Sequence, residues 1–278
     1  MEYHVIDVFT EKLFGGNPAG VCLLEVWPAA EVLQSIAAEN NLSETAFVVK
    51  AKGPPEGHYE LRWFTPLLEI ELCGHATLAS AFVLFEEAEK AANEIQFKTL
   101  SGVLTVTKGE GGLLCLELPS RPVVACPTYS SFEKALGLKP LATYRAVDFL
   151  VLLDSEETLQ NLSPDFAALK QLKTEAQVPH DSFGVIVTAE GSDCDFVSRF
   201  FAPNAGVNED PVTGRAHCSL TPFWSQRLGK PKLFARQLSK RGGVLFCEDG
   251  GECVKISGRA VRYLRGEIVH ASTLFSEK

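Results

Sequence analysis

The chain lacks the features that several functions need. Its eight cysteines, at 22, 73, 115, 126, 194, 218, 247 and 253, include no CxxC pair. Neither a zinc site nor a thioredoxin-type motif is therefore indicated, no metal or cofactor is expected, and reduced core thiols are the reading for most of them. Positive charge is in deficit, with 26 Lys and Arg against 35 Asp and Glu for a net charge of −9. Affinity for nucleic acid comes from clustered basic residues, so neither a nucleic acid nor an anionic membrane surface is expected as partner. The longest helix-like apolar run, Ala76 to Phe85, falls well short of the roughly 20 residues that span a bilayer. Met1 to Val5 show neither the basic start nor the apolar run of a signal peptide, so a cytoplasmic location is expected. No polar or repetitive tract suggests disorder.

What the chain does contain is a copy of itself. Arg62-Trp63-Phe64-Thr65-Pro66, followed by Cys73-Gly74-His75-Ala76, reappears as Arg199-Phe200-Phe201-Ala202-Pro203, followed by Thr213-Gly214-Arg215-Ala216. The offsets are 199 − 62 = 137 and 214 − 74 = 140. Ser101-Gly102-Val103-Leu104 is echoed by Gly242-Gly243-Val244-Leu245, and Glu110-Gly111-Gly112 by Asp249-Gly250-Gly251. The 278 residues thus read as two domains of common size. One spans 1–121 and the other 122–278, with the C-terminal strand free to return to the first.

Both halves predict the same order of elements. In the first, strands at Val5–Phe9 and Gly20–Leu24 precede a helix from Pro28 to Asn40, with proline at N1. Strands at Ala46–Val49 and Tyr59–Phe64, a helix from Gly74, and strands at Gly102–Lys108 and Leu113–Leu118 follow. In the second, a strand over Ala146–Leu153 precedes a helix capped by Ser163 with Pro164 at N1. Strands at Phe183–Thr188 and Phe196–Phe201, a helix near Gly214, and strands at Val244–Cys247 and Glu252–Ile256 complete it. The helix over residues 76–85 is apolar on every side and must be enclosed. The fold class expected is α+β: two pseudo-symmetric halves, each a curved, mostly antiparallel sheet around a central apolar helix. Each helix opens with glycine, so its free N–H groups form an end that attracts anions. Two such ends across a cleft would hold a small carboxylated molecule.

The chemistry is sought where the copies differ. Aligning Ser43-Glu44-Thr45 with Ser182-Phe183-Gly184 leaves Glu44 without an acidic counterpart. It opens a strand among apolar residues, where a carboxylate suits proton transfer, although a solvated strand-edge carboxylate is the plainer reading. His75 follows Gly74 where the second copy has Arg215. A helix N-terminus disfavours imidazolium, so a neutral ring is expected. Asp210, in the longer connection from Asn204 to Val212, reads equally as a helix cap or as a site residue.

At Gly16-Asn17-Pro18, Asn41 to Phe47, Cys73-Gly74-His75-Ala76-Thr77 and Glu209-Asp210-Pro211-Val212-Thr213-Gly214, the sequence resembles the PhzF family of phenazine-biosynthesis-like isomerases, through nearly the whole chain. The resemblance implies the diaminopimelate-epimerase-like fold, a homodimer, and a cofactor-free isomerisation in which one glutamate moves a proton between two carbons. It implies Glu44, His75 and Asp210 as catalytic residues. Asn17, Ser43, Cys73, Gly74, Thr213, Gly214 and Arg215 would bind an anionic small-molecule substrate. Serine is common in the family where Arg215 stands. That guanidinium could clamp a substrate carboxylate or point away. Two alternatives stand beside this reading. One is a two-thiol racemase using Cys73, its pKa lowered by the helix end, though the nearest second thiol, Cys218, lies about a turn inside its helix. The other is a non-catalytic binding protein on the same fold.

Overall fold

A computed structural model describes residues 1–52, 58–178 and 183–269. The chain forms two compact units: Met1–Leu118 with the chain from Ile256 on, and Pro119–Lys255. In the first, β1 (Glu2–Val8) and β2 (Asn17–Leu24) form an antiparallel pair, and helix α1 (Ala30–Asn40) crosses over to β3 (Glu44–Lys50), parallel to β2. β4 (His58–Phe64) lies antiparallel to β3, and β5 (Glu69–Ile70) hairpins onto it. Helix α2 (Gly74–Glu87) then crosses to β6 (Glu94–Thr99), parallel to β4, and β7 (Gly102–Lys108) and β8 (Leu114–Pro119) extend the antiparallel run. The C-terminal strand Ala260–Glu267 pairs with β1.

The second unit opens with β9 (Val124–Ala125), α3 (Ser130–Leu136), β10 (Ala142–Arg145) and β11 (Phe149–Leu152). Helices α4 (Glu156–Gln160) and α5 (Phe166–Glu175) cross to β12 (Val185–Glu190), parallel to β11. β13 (Phe196–Ala202) and the short β14 (Val207–Asp210) follow; α6 (Gly214–Leu228) then crosses to β15 (Lys232–Gln237), parallel to β13, before β16 (Gly243–Asp249) and β17 (Cys253–Gly258). Ala260–Glu267 is β18. The two units therefore share one wiring, in which the central helix is the crossover between two parallel strands.

The fully apolar helix is enclosed as predicted. Every residue of α2 from His75 to Ala81 is buried, against β1, β2, β3, β7 and β18. Its polar members bond back one turn: Thr77 Oγ1 donates to Cys73 O at 2.6 Å and Ser80 Oγ to Ala76 O at 2.8 Å, which removes the penalty of burying a hydroxyl. The second core gathers Phe132, Phe149, Phe183 and Phe201 with apolar residues of α3 and α5.

Local signals misled at three places. Pro28 lies outside α1, whose N-cap is Ala29. α5 is capped by Asp165, whose Oδ1 accepts from the amides of Ala167 and Ala168 at 2.9 and 3.1 Å, rather than by Ser163. A carboxylate at N-cap also gains from the helix dipole, which a serine hydroxyl does not. β11 starts at Phe149 rather than Ala146, because the Ala146 amide turns back to Asp148 O.

The repeat extends to side chains. Arg62 of β4 makes a two-bond pair with Glu69 of β5, both at 2.7 Å, and sits over the Phe64 ring at 5.1 Å. Arg199 of β13 pairs with Glu209 of β14 at 2.7 and 3.0 Å, and sits over Phe201 at 5.0 Å. Each pair ties the short strand before the central helix to the sheet. Planar guanidinium suits this double duty of fork and ring contact.

Register also refines the alignment of the copies. Thr45 pairs with Phe64, and Val185 with Phe201, the equivalent of Phe64. The counterpart of Glu44 is therefore Gly184, one place from the Phe183 that sequence alignment gives. A one-residue slip moves a strand side chain to the other face. Ser182, used in that alignment, lies outside the described residues.

Candidate active site

In the first unit, three elements converge at the start of α2. β3 begins at Glu44, beside Ala19 of β2, and Asn17 opens β2. Cys73 is the N-cap of α2 in an extended conformation, with no side-chain cap bond. The first-turn amides of α2 are therefore left to other partners, and the positive end of the helix is uncovered.

His75, 5% exposed, is the centre of this group. Its Nδ1 lies 3.4 Å from Asn17 Nδ2 and 3.5 Å from Cys73 Sγ. Asn17, itself fully buried, accepts at Oδ1 from Ser43 Oγ at 3.4 Å. On the other side of the ring, Nε2 lies 3.2 Å from Glu44 Oε2. That approach is close but out of line for a hydrogen bond, and among the described residues neither atom has another partner. The two groups face each other at ion-pair distance and neither is held by a further hydrogen bond, so a ligand entering between them would meet an acceptor and a donor already placed.

Burial works against a charged imidazole, yet Cys73 and Glu44 outweigh it and hold His75 well above its ordinary pKa of 6.5. This corrects the neutral ring expected from the helix end, because a carboxylate at contact distance exceeds a partial charge of the backbone. Cys73 is corrected too. Burial and the Glu44 charge push its thiol up, and the helix end and His75 only partly offset them. Cys218 is pushed up to about 12 by burial, with its Sγ turned to Gly214 O within the helix.

Glu44, Cys73 and His75 each offer one candidate metal-ligand atom, all within 4.8 Å of one another.

The start of α6 is built from the same plan with other residues. Thr213 is its N-cap, again without a side-chain cap bond. Its amide donates to Gln237 Oε1 at 2.9 Å, and Gln237 Nε2 donates to Asp210 O at 2.8 Å. Asp210 Oδ2 accepts from Thr213 Oγ1 at 2.5 Å. Asp210 thus accepts from the N-cap hydroxyl. Arg215 Nη2 donates to Asp148 Oδ1 at 3.0 Å, and that carboxylate also accepts from the Gly184 amide at 2.7 Å. The guanidinium lies over the Phe200 ring at 5.6 Å. A side chain at Gly184 has no room, since a Cβ there would sit 2.1 Å from Phe200 Cζ.

Of the ten residues singled out in the sequence, Asn17, Ser43, Glu44, Cys73, Gly74 and His75 come together in the first unit, and Asp210, Thr213, Gly214 and Arg215 in the second. Sequence reading missed Asp148 and Gln237. Both are buried polar residues on strands or beside them, and nothing in their local sequence sets them apart from solvated ones.

These features define a chain of the phenazine biosynthesis-like class. The model of the PhzC-PhzF family, phenazine biosynthesis-like protein, matches residues 6–266, and the chain belongs to this family. It is 48% identical to an uncharacterized isomerase of Pseudomonas aeruginosa, over 95% of this chain and 96% of that protein. A crystal structure of a PhzF-family phenazine biosynthesis protein from Enterococcus faecalis superposes with a TM-score of 0.88 at 46% identity, covering 96% of this chain and 98% of that one. A hydroxyproline epimerase from Agrobacterium vitis, at 12% identity and a TM-score of 0.61 over 96% of this chain and 91% of that one, shares the fold alone. No helix among the described residues is long and apolar enough to cross a membrane.

Proposed function

We propose that the chain is a cofactor-independent isomerase that moves a proton within a small carboxylated substrate, with Glu44 as its single acid and base. Glu44 takes a proton from a carbon next to the substrate's electron-withdrawing group. The C–H electron pair spreads into that group, His75 donates to the oxygen where charge grows, and Glu44 returns the same proton to a second carbon. No net charge or atom is gained, so no co-reactant is needed. The observation that carries this reading is the buried pair Glu44 Oε2 and His75 Nε2, 3.2 Å apart at an uncapped helix start, with no further hydrogen bond to either atom among the described residues. Gly74 supplies backbone donors there, and Asn17, Ser43 and Cys73 line the same group. In the second unit, the uncapped start of α6 with Thr213, Gly214, Asp210 and Arg215 offers a positive end of the kind that holds a carboxylate. The family resemblance supports a homodimer.

The raised thiols of Cys73 and Cys218 speak against the two-thiol reading, because the thiolate is the reactive form. The test is proton exchange. Incubated in deuterated water with a panel of small carboxylic acids bearing an activated C–H, the wild type should incorporate deuterium into at least one of them. Glu44→Gln should slow that exchange by about 10²–10⁴-fold, the usual worth of a positioned acid or base. Undiminished exchange in that variant contradicts the role, and no exchange by the wild type favours a binding protein on the same fold.

A further inference from the structure

The geometry points to Asn17 and Cys73 as positioning residues that fix which nitrogen of His75 carries its proton, so that Nε2–H faces Glu44 whether the ring is neutral or charged. Three contacts on the page converge on this. Asn17 presents its amide nitrogen, a donor, to His75 Nδ1 at 3.4 Å, with its Oδ1 3.4 Å from the Ser43 hydroxyl. The Cys73 thiol meets the same nitrogen at 3.5 Å. A thiol at its raised pKa holds its proton and is a donor as well. Two donors aimed at one ring nitrogen require it to accept, and a neutral imidazole that accepts at Nδ1 carries its proton at Nε2. On the far side, Nε2 approaches the carboxylate oxygen of Glu44 at 3.2 Å. A bare nitrogen there would set one lone pair against another.

The charged ring leads to the same place. In imidazolium both nitrogens carry protons, and at Nδ1 the sulfur accepts through a lone pair while the amide turns its oxygen inward. Glu44 opposes the remaining form, neutral with the proton on Nδ1, because that form turns a bare Nε2 toward its carboxylate at 3.2 Å. His75 is then a donor at Nε2 throughout its titration, and Glu44 is left as the base. The tautomer stands on these contacts together with a thiol that holds its proton; its consequence for catalysis rests on the proton-transfer reading above. Nitrogen-ligating orientation by a partner on the far side of the ring is a general device for setting histidine tautomers.

The measurement is long-range ¹H–¹⁵N correlation on the full-length protein labelled at histidine nitrogen, without ligand, as pH is raised through deprotonation of His75. The expected result is loss of the Nδ1 proton while Nε2 keeps its own, in the wild type and in Cys73→Ser, which retains a donor. Asn17→Asp, which can only accept, should reverse the preference to Nδ1–H. Should that buried carboxylate impair folding, the pair Asn17→Leu with Cys73→Ala removes both donors, and the Nδ1–H form should rise at least tenfold relative to wild type. Loss of the Nε2 proton first in the wild type would overturn the inference, as would an unchanged tautomer in the folded double variant. Either result leaves the deuterium-exchange test of Glu44 untouched, so the two failures are separable.

Discussion

The two helix starts are one design executed with different partners. Each has an extended, uncapped N-cap residue, then glycine, then a basic side chain paired with an acid from a neighbouring strand. In the first unit the acid comes from β3, and Glu44 meets His75 at 3.2 Å with no further hydrogen bond to either atom among the described residues. In the second the acid precedes β11, and Asp148 bonds Arg215 while also accepting the Gly184 amide. Pairing register puts Gly184 where the first unit has Glu44, with the Phe200 ring filling the space. The difference separates stability from reactivity: a saturated pair holds structure, and an unsaturated one waits for a substrate.

The largest effect that this comparison predicts is on proton exchange, where Glu44→Gln abolishes a step worth about 10²–10⁴-fold and no substitution of Asp148 has a counterpart role as base. The next concerns acid stability, at one position where the two central helices differ. Thr77 and His217 occupy the same place in the two copies, and each contacts its N-cap carbonyl, at 2.6 and 2.8 Å. Only His217 titrates. Burial pushes it from 6.5 down to about 4, so the folded state holds it neutral where the unfolded chain binds a proton. Stability is therefore full above about pH 6.5 and declines as pH falls toward 4. At about 1.4 kcal/mol per unit, the loss is on the order of 3 kcal/mol. Urea denaturation across that range should show the slope, and His217→Gln should flatten it. An equal slope in the variant would place the acid sensitivity elsewhere.

Removing the buried acid of the saturated pair is expected to cost somewhat less. Asp148→Ala strands the Gly184 amide and a guanidinium that is partly solvated, about 2–3 kcal/mol by chemical denaturation. A loss below about 0.5 kcal/mol would show that Arg215 is held by other contacts. The smallest effect is expected at Gly184→Ala, where a methyl group must displace the Phe200 ring, at about 1–3 kcal/mol. A neutral outcome would mean that the second unit can accept a side chain at the position of Glu44, weakening the contrast.

How much of this could be read from the chain depends on which interaction is asked for. The first central helix was legible because burial on all sides leaves a run with few polar residues, as at Ala76 to Phe85, and the second because it repeats the Gly74 start at Gly214. Glu44 and His75 stood out as departures between two copies, and Cys73 through the motif that carries the family resemblance. The parallel pairing of β4 with β6 and of β13 with β15 was not, since strand alternation carries no record of its neighbour. Asp148 and Gln237 acquire their roles only through folding, by bonding groups 67 and 24 positions away. The charge state of His75 likewise depends on a carboxylate brought from β3, which local reasoning about a helix end omits.

The most direct measurement compares deuterium incorporation from solvent into the active carboxylic acid by the wild type, Glu44→Gln and Cys73→Ala. A single-glutamate mechanism predicts that Glu44→Gln loses exchange by at least about 10²-fold, while Cys73→Ala, which removes only one of two groups steadying His75, keeps it within about tenfold. Exchange that survives in Glu44→Gln and vanishes in Cys73→Ala would contradict it and make the thiol the base.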